Sequence, residues 1–73
     1  MKIHFKNADK FAAQLIKKGY NKRDLAKGID MSYTSIIGMF KGRSFPSPRA
    51  AKAICEFMDV KFDDIFVIKP KEG

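Results

Sequence analysis

The side chains of this chain that could act on a partner are hydroxyls and cations. Ser32, Tyr33 and Thr34 stand in a row, and each can donate and accept a hydrogen bond. Lys22, Lys41, Arg43 and Arg49 lie on either side of that row. Lys22 and Ser32 also fall at the expected starts of two helices, where unpaired backbone N–H groups favour an anion. Taken singly, each cation could equally be a solvated charge, and Tyr33 and Thr34 ordinary surface. Groups for covalent catalysis are not set up to work. His4 has no clustered partners and offers no metal set. Cys55 shares a helical face with Ala51, Ile54 and Met58 and reads as core filler. Asp63 and Asp64 are adjacent, and adjacent helical residues do not face each other. No enzyme, metal or other cofactor is expected.

Fifteen basic residues against eight acidic ones leave a net charge of +7. That excess favours an anionic partner, either nucleic acid or a membrane surface. The membrane reading lacks support, because no apolar run approaches a span and no helix joins a wide basic face to a large apolar one. An apolar signal-peptide core is also missing, and a single cysteine fits a reducing compartment, so a cytoplasmic location is expected. Seventy-three residues allow one domain, spanning 1–73, and seven Phe give it the material for a core.

The elements that must position the hydroxyl row are two short helices within 21–42. Asn21 can cap the first, with Asp24 placed to complete a capping box and Tyr20 and Leu25 spaced as a hydrophobic staple. Ser32 can cap the second, Met31 and Ile36 repeat the staple, and Gly42 can end it in a left-handed conformation. Gly28 and Asp30 break the run between them. Two capped helices this close make a helix-turn-helix. On the second, Ile36 and Met39 take the core side, which turns Tyr33, Thr34, Ile37 and Gly38 outward. Upstream, Asn7 caps a helix with an apolar stripe of Phe11, Ala12, Leu15 and Ile16, ended by Gly19. Downstream, Ser47 and Pro48 start a helix that runs to about Met58, with Ala50, Ala51, Ile54, Cys55, Phe57 and Met58 on its apolar face. A last helical turn covers Phe62 to Phe66. Lys2 to Lys6 alternate as a half-buried strand with His4 facing solvent, and Ile65 to Lys69 read as a second strand. The two could pair within the chain or across a dimer, and 70–73 read as a loose tail.

Leu25-Ala26, Ile29, Met31-Ser32, Ile36, Met39, Lys41-Gly42, Ser47-Pro48 and Phe62 to Phe66 together resemble the phage Cro and lambda-repressor-like (XRE) helix-turn-helix family. The resemblance covers all but the termini. It implies an all-α, compact five-helix fold, to which a terminal β pairing would be a small addition. It also implies that the helix from Tyr33 to Lys41 enters the major groove of double-stranded DNA. Tyr33 and Thr34 would then meet base edges, with Ile37 and Gly38 on the same face. Lys22, Ser32, Lys41, Arg43 and Arg49 would hold phosphates. Five positions depart from the pattern. Asp30 and Asp59 stand where Gly is common, and Asp can enter the left-handed region at some cost. Leu15 and Phe40 stand where many relatives carry an Arg–Glu pair, and an apolar pair can replace it without loss of stability. Lys22 stands in place of a common Gln.

Two functions from different classes follow. The first is a sequence-specific DNA-binding transcriptional regulator, a Cro-type repressor acting as a homodimer. The second takes Ile37 and Gly38 as its sign, because bases are usually read with polar side chains and exposed apolar surface often marks a protein contact. It is an antirepressor or modulator that binds a partner repressor protein through the same helix surface.

Overall fold

A computed structural model describes residues 1–70. Its elements run β1 (Lys2–Phe5), α1 (Ala8–Lys17), α2 (Lys22–Gly28), α3 (Tyr33–Phe40), α4 (Pro48–Met58), α5 (Phe62–Ile65) and β2 (Phe66–Lys69). The five helices and helix-turn-helix expected from the sequence are present. The strands pair within the chain, antiparallel, with Ile3 opposite Ile68 and Phe5 opposite Phe66. Of the expected tail at 70–73, residues 71–73 lie outside the described residues.

The starts of α1 to α4 each rest on a cap side chain that meets the backbone three residues on. Asn7, Asn21, Ser32 and Ser47 accept from the N–H groups of Lys10, Asp24, Ser35 and Ala50. At α2 the box is reciprocal, the Asn21 N–H donating to Asp24 Oδ2 at 2.9 Å. Such a cap contributes about 1 kcal/mol, a large share of the stability of helices this short.

Helices α1 to α4 also end alike, each on a residue in the left-handed region. These are Gly19 (φ 84°), Asp30 (φ 57°), Gly42 (φ 77°) and Asp59 (φ 55°). In every case two backbone N–H groups fold back onto the last turn. At α2 the Asp30 N–H donates to Lys27 O at 3.3 Å and the Met31 N–H to Ala26 O at 2.9 Å. At α4 the same pair runs from Asp59 to Glu56 and from Val60 to Cys55. This Schellman closure occupies carbonyls that would otherwise lack partners and turns the chain sharply back. The C-terminus of α4 gains one more donor, since Lys18 Nζ hydrogen-bonds to Met58 O.

The core these turns enclose has Phe11, Leu15, Leu25, Ile36, Ile54, Met58 and Phe66 fully buried. Phe5 stacks on Phe11 and on Phe66, tying the small sheet to α1. Two strands alone are marginal in water, so this packing holds the sheet in place. Cys55 is core, as expected. Burial, with the Asp64 carboxylate as the smaller cause, raises its thiol above the ordinary value and keeps it neutral.

Three expectations are corrected. Ile16 is 71% exposed rather than part of the buried stripe, because none of the described elements covers the edge of α1 beyond Leu15. His4 is half-buried, its ring 4.6 Å from that of Phe45, rather than facing solvent. Gly28 does not break α2; it is the helix's last residue. What requires glycine there is the Phe57 ring, whose Cε1 would lie 2.2 Å from an added Cβ.

Phe57 is in turn braced by Tyr20, their centroids 4.7 Å apart, so the ring has little room to retreat. Gly28→Ala should therefore destabilise the fold by about 1 kcal/mol, overpacking outweighing the gain in helix propensity. Urea unfolding measures this, and a rise in stability would show that Phe57 yields freely.

Candidate nucleic-acid interface

Helices α2 and α3 each spend one face on the core. Leu25 and Ala26 do so from α2, and Ile36 and Met39 from α3. Ala26, only 4% exposed, is small enough to let the helices approach closely. What remains at the start of α3 is Tyr33, 40% exposed, and Thr34, also exposed. Lys41, Arg43 and Arg49 are exposed as well, the first two just beyond the end of α3 and the third in the first turn of α4.

The Ser32 hydroxyl is engaged in capping. It accepts from the Ser35 N–H at 3.2 Å and donates to Ser35 Oγ at 2.8 Å. With the hydroxyl proton given to Ser35, only the Ser32 backbone N–H is left to donate to a phosphate group. Lys22 is half-buried, its Nζ 4.7 Å above the centre of the Phe40 ring. That ring packs against Phe5 and Phe11, and Leu15 is 1% exposed. The Leu15 and Phe40 pair is therefore apolar packing under a single ammonium group. A cation over an aromatic face gains about 0.5–1 kcal/mol at an exposed site while its N–H groups stay free to donate.

Ile37 and Gly38 do not stand open as the helical period alone suggested. Both are half-buried. The chain beyond α3 returns over Gly38, whose carbonyl accepts from the N–H groups of Arg43 at 2.8 Å and Ser44 at 3.3 Å. A Cβ on Gly38 would lie 2.8 Å from Ser44 Oγ. The open part of the face is accordingly Tyr33 and Thr34 at one end and Lys41 and Arg43 at the other.

One residue escaped the sequence reading. Arg23, in the first turn of α2, holds its guanidinium carbon 4.3 Å from the centre of the Tyr33 ring. Among fifteen cations nothing local singles it out; only its place opposite Tyr33 does. Lys22, Arg23 and Tyr33 border one open cleft of about 350 Å³, lined also by Leu15 and Ile16. The arrangement puts hydrogen-bonding side chains at one helix start and cations around them. Among the described residues no cluster of three or more His, Cys, Asp or Glu could hold a metal. None of the described helices is long and apolar enough to cross a membrane.

Residues 11–65 match the family described as Helix-turn-helix. The chain is also 39% identical over 51 residues to an uncharacterized HTH-type transcriptional regulator of Methanocaldococcus jannaschii, which covers 70% of this chain and 77% of that one. The chain belongs to the Cro and lambda-repressor-like (XRE) helix-turn-helix family of DNA-binding domains.

The covering of Gly38 has a measurable consequence. Ser44 Oγ is the end of a short, exposed side chain, and its Cβ would stand an ordinary 3.7 Å from an added methyl. Gly38→Ala should therefore rotate the hydroxyl aside and stabilise the fold by about 0.5 kcal/mol, most of the helix-propensity gain being kept. Thermal unfolding reads this directly, and a clear loss of stability would mean that the loop is clamped onto the helix.

Proposed function

We propose that this protein is a sequence-specific DNA-binding transcriptional regulator of the Cro repressor type, working as a homodimer. Helix α3 enters the major groove, Tyr33 and Thr34 meet base edges, and Lys22, Lys41 and Arg43 hold the flanking phosphates. Ser32, Ile37, Gly38 and Arg49 lie at the margins of that contact. The observation that carries this reading is the exposed Tyr33–Thr34 pair framed by cations at the front of a helix-turn-helix. The relative's description as a transcriptional regulator supports it.

Tyr33 suits hydrogen bonding at a base edge, and Thr34 adds a methyl that fits against thymine. The phosphate contacts supply sequence-independent affinity, so binding should weaken steeply with salt as counterions are released. In a dimer, two copies of α3 would fall about 34 Å apart and read a near-palindrome. The modulator reading loses much of its motive, since Ile37 is half-buried and presents little apolar area to a partner.

Selection from random-sequence duplexes should enrich a near-palindromic site. Tyr33→Ala should flatten preference at one base pair of each half-site. Lys41→Ala or Arg43→Ala should weaken binding to all duplexes alike and lower the salt slope by about one. A chain that enriches no site, or that binds a partner repressor more tightly than any duplex, would remove this reading.

A further inference from the structure

The contact between Arg23 and Tyr33 joins α2 to α3 through side chains that both stand at the protein surface. It therefore has little work to do in holding the core. A guanidinium held over a phenol ring makes a cation–π contact that leaves N–H groups free to donate. The contact also limits where the Tyr33 ring can rest. With no neighbour, an exposed tyrosine samples several rotamers, and ordering it on binding costs affinity. Here the ring lines an open cleft together with Arg23, Lys22 and Ile16, so free space lies beside it. The contact with Arg23 favours this position of the ring over the others.

We propose that Arg23 is a positioning residue for base recognition: held over Tyr33, it pre-orients the phenol toward the base edge and adds its own donors beside it. The proposal rests on the DNA-binding reading above and names a residue through which that reading gains specificity. The role needs the planar guanidinium. A lysine in its place would keep the charge but present a rotating, strongly hydrated ammonium that cannot stack flat.

The test uses the full chain and the duplex that the unaltered protein enriches from random sequence, alongside the duplex altered at the base pair whose preference Tyr33→Ala erases. Arg23→Ala should lower discrimination between these two duplexes by about fivefold, the size expected for a cation–π contact at an exposed site, and Arg23→Lys by part of that. Arg23→Lys should leave the salt dependence of binding in place, since the charge remains. In a Tyr33→Ala background Arg23→Ala should change discrimination no further, because its route of action is gone. Thermal unfolding should fall by no more than about 5 °C in any variant, the loss of one surface contact from a domain this small. Full discrimination in Arg23→Lys, or equal weakening of both duplexes by Arg23→Ala, would overturn the proposal and leave Arg23 an ordinary phosphate contact. Failure of the unaltered chain to enrich any duplex would instead overturn the DNA-binding reading, and this proposal with it.

Discussion

The turn between α2 and α3 depends on one residue in an uncommon conformation. Asp30, at φ 57°, reverses the chain so that the Met31 N–H returns to Ala26 O and Met31 can pack against the core. Neither α2, with seven residues, nor α3, with eight, would hold together alone in water. Their stability comes from burying Leu25, Ala26, Ile36 and Met39 against each other and the rest of the core. The left-handed turn makes that burial possible in so short a space. It also decides the interface. With the helices folded this way, the first turn of α2 and the first residue of α3 come side by side, and Arg23 can reach Tyr33.

Around that unit the core substitutes aromatic packing for a buried ion pair. Phe5, Phe11, Phe40 and Phe66 form a continuous set of ring contacts with centroids 4.9 to 5.8 Å apart. A buried ion pair gains Coulomb energy but costs desolvation of both partners, and well-packed apolar groups often do as well. The exchange has a functional side. No acidic partner from such a pair sits at this surface to offset the charge of Lys22 above Phe40. Lys22 and Arg23 outnumber Asp24 in the first turn of α2, a local excess of positive charge that favours capture of an anionic surface.

What could be read in the sequence was whatever a residue does to its own neighbourhood. Asn7, Asn21, Ser32 and Ser47 declare helix starts because each accepts from a backbone group three residues on. Asp30 and Asp59 could be read as left-handed because they stand at positions where the resembled family uses glycine. Periodicity was less complete. It put Ile16 beside Leu15 correctly, yet could not show that none of the described elements covers that edge of α1. It turned Gly38 outward, while the covering comes from Arg43 and Ser44 after the helix has ended. Gly28 looked like a breaker, and its reason was a phenylalanine far along the chain. Arg23 left no local trace at all. Each miss was a contact between separate elements, which spacing within one element does not encode.

The central claim is that the front of α2 and α3 is the surface that meets DNA. Titrating the isotope-labelled chain with a short duplex, followed by backbone amide chemical shifts, tests it most directly. The account expects the largest changes at Lys22, Arg23, Ser32, Tyr33, Thr34, Lys41 and Arg43, with the strands Lys2–Phe5 and Phe66–Lys69 nearly still. Largest changes on those strands, with α3 unmoved, would contradict it.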